Sequence, residues 1–118
     1  MKIDSVRKHA LSLEAVTEEP HHNYSSFRVR GKIFATIPPE EEFIHVFVAE
    51  EDREPALAMY PDFIEKLLWG AKVVGLRVSL ATAKPAVVKS LLAKAYETRV
   101  QKDAGPRSSK PKNRVLKS

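Results

Sequence analysis

The sequence predicts an α+β domain: an antiparallel sheet flanked by an N-terminal and a C-terminal helix. Three observations carry this expectation. Apolar residues recur at three-to-four spacing near both ends of residues 1–100, the period becomes two between them, and strands follow one another before a helix intervenes. No internal repeat is visible.

Ile3, Val6, Ala10 and Leu13 line one side of a predicted first helix over 3–13, with Asp4 near its start. The period is lost from Glu14 to Asn23, where Glu18, Glu19, Pro20, His21 and His22 read as a polar connector. A strand follows over 25–30, with Phe27 and Val29 inward and Arg28 and Arg30 facing water. Gly31 supplies a turn, and 32–37 is the return strand until Pro38-Pro39 stops the pairing. Ile33, Ala35 and Ile37 make one face of that strand and Phe34 and Thr36 the other. A third strand, 43–49, is apolar at Phe43, Ile44, Val46, Phe47 and Val48, which predicts a central strand covered by helices on both faces.

Glu50 to Tyr60 reads as a short helix, because Glu50, Glu51 and Asp52 suit a helix N-terminus, although Pro55 limits its regular part. The stretch 62–68 fits helix spacing at Phe63, Ile64, Leu67 and Leu68, yet it runs into Trp69-Gly70, which suggests a turn. A strand over 73–80 places Val74, Leu76, Val78 and Leu80 inward. The last helix takes Thr82 as N-cap and Pro85 in its first turn, and it ends near Val100. Its apolar stripe is Val88, Leu91, Leu92, Ala95 and Tyr96.

Charge divides the chain. Of 20 basic and 15 acidic residues, 1–100 hold 14 of each and 101–118 hold 6 basic and 1 acidic, so the whole excess of +5 lies at the C-terminal end. That segment is poor in apolar residues and is expected to be a disordered basic tail beyond a domain of residues 1–100. Such a tail attracts polyanions through counterion release. The chain has no cysteine, which removes disulfides, thiolate catalysis and Cys-based zinc sites. No apolar run approaches the roughly 20 residues of a membrane helix, and no secretory signal opens the sequence, so a cytoplasmic protein is expected.

The run Phe27-Arg28-Val29-Arg30-Gly31-Lys32-Ile33-Phe34-Ala35 resembles the FRV-x-GK-x-FA hairpin of the MmcQ/YjbR-like family of small bacterial proteins. Ala10 to Leu13, the Glu18-Glu19 to His22 connector, Trp69-Gly70, Leu76-Arg77-Val78 and Leu91-Leu92 to Tyr96 agree with that family in order, so the resemblance covers about residues 5–100. It implies an α+β fold of secretion-chaperone-like architecture with a "double wing" DNA-binding surface. Two features depart from the family pattern. The connector reads His21-His22-Asn23-Tyr24-Ser25-Ser26 where relatives more often carry a Trp-Gly-x-Pro-like stretch, and the basic tail lies beyond the family domain.

The candidate chemistry is therefore nucleic-acid binding without catalysis, with DNA as the partner. Arg28, Arg30 and Lys32 are expected to share the solvent face of one hairpin, with Lys72 and Arg77 as a second basic wing. Lys102, Arg107, Lys110, Lys112, Arg114 and Lys117 form an electrostatic arm. The bland alternative is that these cations keep exposed strands soluble. A protein-interaction or chaperone-like adaptor using Phe34, Tyr60 and Trp69 is the second expectation, and a small-ligand or metal site the third. His21 and His22 with Glu18, Glu19 or His45 offer ligand types without a metal spacing, and no GxSxG, HExxH or phosphate-binding glycine loop is present, so neither a cofactor nor a catalytic residue is expected.

Overall fold

A computed structural model describes residues 1–104. In chain order they form α1 (Ile3–Leu11), β1 (Val16–His21), β2 (Tyr24–Val29), β3 (Lys32–Ile37), β4 (Phe43–Val46), α2 (Glu50–Met59), β5 (Ile64–Trp69), β6 (Lys72–Ser79) and α3 (Pro85–Ala104). The strands make one six-stranded sheet, β1-β2-β3-β4-β6-β5, with every neighbouring pair antiparallel. This is the α+β arrangement the sequence predicts, with helices at both ends.

The helices cover one face of the sheet. α3 packs on β2, β3 and β4, α1 on β1 and α3, and α2 on β5 and β6 beside α3, where Asp52 and Lys94 approach to 4.0 Å. The core between them holds Phe27, Val29, Phe34, Val46, Leu76 and Val78 from the sheet and Val6, Ala10, Val88, Leu91, Leu92 and Ala95 from α1 and α3. Each large apolar side chain buried there stabilises the fold by roughly 1.5–3 kcal/mol. Phe34 meets Tyr96 edge-on at 5.8 Å between ring centroids.

Several expectations need correction. The polar connector contains β1, an edge strand whose register runs from Val16 opposite Val29 to His21 opposite Tyr24. Only Val16 and Glu18 of β1 are even half-buried, so it carries no hydrophobic alternation, and Pro20 is tolerated because an edge strand leaves one side unpaired. Arg30 lies in the turn rather than in β2. β3 carries a bulge, since Phe27 pairs with Ala35 but Arg28 with Ile33, leaving Phe34 between them. The bulge puts Phe34 on the covered side with Ala35 and moves Ile33 opposite Arg28 to the open side. β4 is central but covered by helices on one face only.

The ambiguous stretch at 62–68 resolves as β5, whose pairing with β6 buries Ile64 against Val78. α2 runs through Pro55, because the carbonyl left without a donor belongs to Glu51, which is exposed to water. α3 begins at Pro85, with the ring in the first helical position rather than behind a Thr82 cap, and continues past Val100 to Ala104. The basic tail expected at 101–118 is helical as far as Ala104, and its remainder lies outside the described residues.

Candidate nucleic-acid interface

Two hairpins define one end of the molecule. β4 ends at Val46, which pairs with Ala35 of β3 and Leu76 of β6. β3 begins three residues before Ala35, at Lys32, and β6 four residues before Leu76, at Lys72. At about 3.3 Å per residue, the β2–β3 and β5–β6 hairpins therefore extend roughly 10–13 Å beyond the pairing of β4. Three strand spacings separate their midlines, about 14 Å.

The turns differ in chemistry. Arg30 and Gly31 connect β2 to β3 with φ of 53° and 80°, the two left-handed residues of a type I′ turn. Gly31 adopts this freely, whereas Arg30 carries a Cβ in the left-handed region at a cost of about 1 kcal/mol. Gly70, φ 64°, followed by Ala71, makes the β5–β6 turn. It ends a strand whose last residues, Leu68 and Trp69, are 56% and 81% exposed. Trp69 lies directly across from Lys72.

The face of the sheet away from the helices carries a polar row. Register links Glu19, Ser26, Thr36, His45, Arg77 and Glu65 across all six strands. Ser26, Thr36 and His45 are buried, although no helix among the described residues packs on this face. The Tyr24 ring lies 6.1 Å from that of His45, and the Arg77 guanidinium lies 3.8 Å above the Phe43 ring. Burial, reinforced by the Arg77 charge and opposed by Glu40, pushes the His45 imidazole down to about 4, so it is neutral near pH 7. Neither His45 Nε2 nor Arg77 Nε has a hydrogen-bond partner among the described residues. The nearest Glu65 carboxylate oxygen is 3.7 Å from Arg77 Nε.

Arg28, Arg30 and Lys32 do not share one face as expected. Arg28 points to the open face, where its Nε donates to Ser26 Oγ at 3.0 Å and its Nη2 to the Pro20 carbonyl at 3.4 Å. Lys32 is opposite the buried Val29, and so leaves the sheet on the helix side. Arg30 occupies the turn between them. The bulge and the two-residue turn break the alternation on which the shared face rested. The structure instead makes two groups: Arg30, Lys32 and Lys72 at the hairpin tips, and Arg28 and Arg77 on the open face.

Lys102 lies in the last turn of α3. Arg99, one helical turn earlier, donates from Nε to the Ile33 carbonyl at 2.8 Å. Arg107, Lys110, Lys112, Arg114 and Lys117 lie outside the described residues. The acidic run Glu40–Glu42 is in the β3–β4 loop, at the opposite end of the sheet from the tips. Glu41 and Glu18 there accept hydrogen bonds from Arg7, which ties α1 to β1 and raises the Arg7 pKa, mainly through Glu18. Glu50, Glu51 and Glu54 belong to α2 on the helix side. No group of three or more His, Asp or Glu among the described residues is arranged to hold a metal ion.

The sequence offers Trp69 as a protein-binding surface and gives His45 no place in the interface. A Trp beside the Gly of a two-residue turn was the available signal, because an aromatic at a hairpin tip has no covering layer. Tyr60, grouped with it as a surface aromatic, instead stacks on Phe63 at 5.5 Å, and Phe34 is fully buried.

Comparison with known proteins places these features in a family. The structure is similar to the crystal structure of Deinococcus radiodurans protein DR2400, which carries the family domain DUF419. The TM-score is 0.72 at 20% sequence identity, over 90% of this chain and 83% of that one. A search of curated proteins finds no match. No helix among the described residues is long and apolar enough to cross a membrane. The family model YjbR matches residues 11–98, from the end of α1 through most of α3, and the chain therefore belongs to the YjbR family.

Proposed function

We propose that the protein is a non-enzymatic nucleic-acid-binding module in which the two hairpin tips hold backbone phosphates. The supporting observation is the placement of Arg30 and Lys32 on one tip and Lys72 on the other, at the same end of one sheet, with Glu40–Glu42 at the far end. The left-handed Arg30 adds weight, since a position that favours glycine carries the longest cation instead. Arg28 and Arg77 extend positive charge onto the open face, and the cations after Ala104 add a sequence-independent attraction. Phosphate contacts of this kind position the protein and specify no base sequence.

The test is fluorescence polarisation with labelled DNA across a salt series, using the full chain, Arg30→Ala/Lys72→Ala, and a full-length variant with Lys110, Lys112 and Arg114 replaced by glutamine. The tip variant is expected to bind at least fivefold more weakly and to lose about 2 from the slope of log K against log salt, near 0.9 per phosphate contact. Unchanged binding in the tip variant, with loss confined to the tail variant, would reduce the interface to a basic arm. The exposed Leu68 and Trp69 favour a second reading, a protein-binding adaptor, in which Trp69→Ala abolishes capture of a partner while the tip cations are dispensable.

A further inference from the structure

Trp69 is the single tryptophan of the chain and, at 81% exposure, the most exposed of its large apolar side chains among the described residues. Strand alternation places it with Glu65 and Leu67 on the open face, opposite to the buried Ile64. The Glu65–Arg77 ion pair marks that same face. Lys72 is its direct cross-strand neighbour, so an indole and an ammonium project together from the second hairpin tip. Across the sheet the open face presents Arg28 and the Phe43–Arg77 stack, and no helix among the described residues packs on it.

From this juxtaposition we infer that the ligand of the tips is single-stranded nucleic acid, with Trp69 stacking on an unpaired base while Lys72, Arg30 and Arg28 follow the backbone. The inference rests on the nucleic-acid reading above and narrows it. An indole gains most from a nucleobase by covering its flat face, which a duplex hides within the base stack and a single strand leaves open. The open face, which carries Arg28 and Arg77 and over which no helix lies among the described residues, suits an extended strand laid across it. A protein partner is the poorer fit. Leu68 and Trp69 bring only a few hundred Å² of apolar surface at most, whereas a stable protein interface needs about 800 Å² from each side.

The experiment uses the full chain and three labelled probes at one salt concentration: a 20-nucleotide oligo-dT, a 20-nucleotide oligo-U and a 20-base-pair duplex. Because Trp69 is the only tryptophan, its emission reports contact at this position directly. Single strands are expected to bind more tightly than the duplex and to quench that emission. Trp69→Ala is expected to weaken single-strand binding about tenfold while changing duplex binding less than twofold, and Trp69→Phe is expected to keep most of the affinity. The dT and U arms distinguish a DNA from an RNA ligand. Equal binding of all probes without quenching, unchanged in Trp69→Ala, would overturn the stacking inference and leave phosphate binding by the tips intact. Loss of duplex and single-strand binding together in Trp69→Ala would also overturn it. No binding to any probe would overturn the nucleic-acid reading itself.

Discussion

The two faces of this sheet share one backbone and meet opposite physical demands. On the covered face, Ala35, Val46 and Leu76 form a row of apolar side chains beneath α3. One residue away along the same strands, Thr36, His45 and Arg77 form the row on the open face. The first row is defined by volume, because close packing under a helix leaves no room for error. The second is defined by length and charge: short polar side chains make a floor, and long cationic and aromatic ones rise around it. A side chain can thus be buried on the open face, as His45 is at 7% exposure, without belonging to the hydrophobic core.

The comparison is sharpest at Phe34, which fills the bulge of β3 and packs on Tyr96. Phe34→Ala is expected to cost about 3–5 kcal/mol, the sum of lost burial and an unfilled cavity. Truncation of a tip residue such as Lys72 should change stability by less than about 0.5 kcal/mol. Urea denaturation of both variants measures the contrast, and comparable losses would mean that the tips are part of the folded scaffold rather than a surface built on it.

The same contrast explains what the sequence made legible. Helices and strands that contribute to the covered face announce themselves by period: α1, β2, β6 and α3 are readable from Val6 and Ala10, Phe27 and Val29, Leu76 and Val78, and Val88 through Ala95. β1 is not legible in the sequence because an edge strand with Glu18, Glu19 and Pro20 buries almost nothing. The cations were legible as residue types but not as a surface, since the Phe34 bulge and the left-handed Arg30 redirect the alternation that would have aligned them. Trp69 is legible as a surface aromatic from the turn at Gly70, but not as a neighbour of Lys72, because helix spacing at Phe63, Ile64, Leu67 and Leu68 obscures the strand that pairs them.

A second effect should come from His45, the one strongly shifted titratable group on the open face among the described residues. Its folded value of about 4 lies below the usual 6.5, owing to burial first and to Arg77 second, with Glu40 acting in the opposite sense. Above pH 6.5 neither folded nor unfolded protein carries the proton, and the folded state loses nothing. As pH falls from 6.5 toward 4, the unfolded chain takes up the proton first, so stability declines over that window by on the order of 2–3 kcal/mol. Urea midpoints at pH 7.5 and 4.5 should show a larger acid loss for the wild type than for His45→Gln. Equal losses would place His45 in a more hydrated setting than its burial implies.

Gly75 gives a smaller effect at the boundary between the faces. A Cβ there would lie 2.3 Å from the Val46 carbonyl oxygen, whereas one at Gly31 or Gly70 would meet nothing within 4 Å. Because the obstacle is backbone, Gly75→Ala must shift β4 against β6, at an expected cost of about 1–3 kcal/mol. If Gly75→Ala proves neutral in urea denaturation, the close approach of β4 to β6 is not a constraint on the gap between the hairpins.

The smallest stability change should also be the most informative, because it opposes stability to function within one residue. Arg30 occupies a left-handed position, φ 53°, that glycine would fill without a Cβ penalty. Relief of that strain favours the folded state, while the greater freedom of glycine in the unfolded chain opposes it, so Arg30→Gly is expected to be stabilising by no more than about 1 kcal/mol. If the tip is an interface, the same substitution removes a cation and weakens nucleic-acid binding at least twofold, with a salt slope shallower by about 0.7 for a single strand. Thermal unfolding and polarisation on one preparation measure both quantities. A variant that is more stable and binds less would show that the strain at the tip persists for the sake of the arginine. A variant that is more stable and binds equally would assign the hairpin turn to the scaffold and leave the interface to Lys72 and the open face.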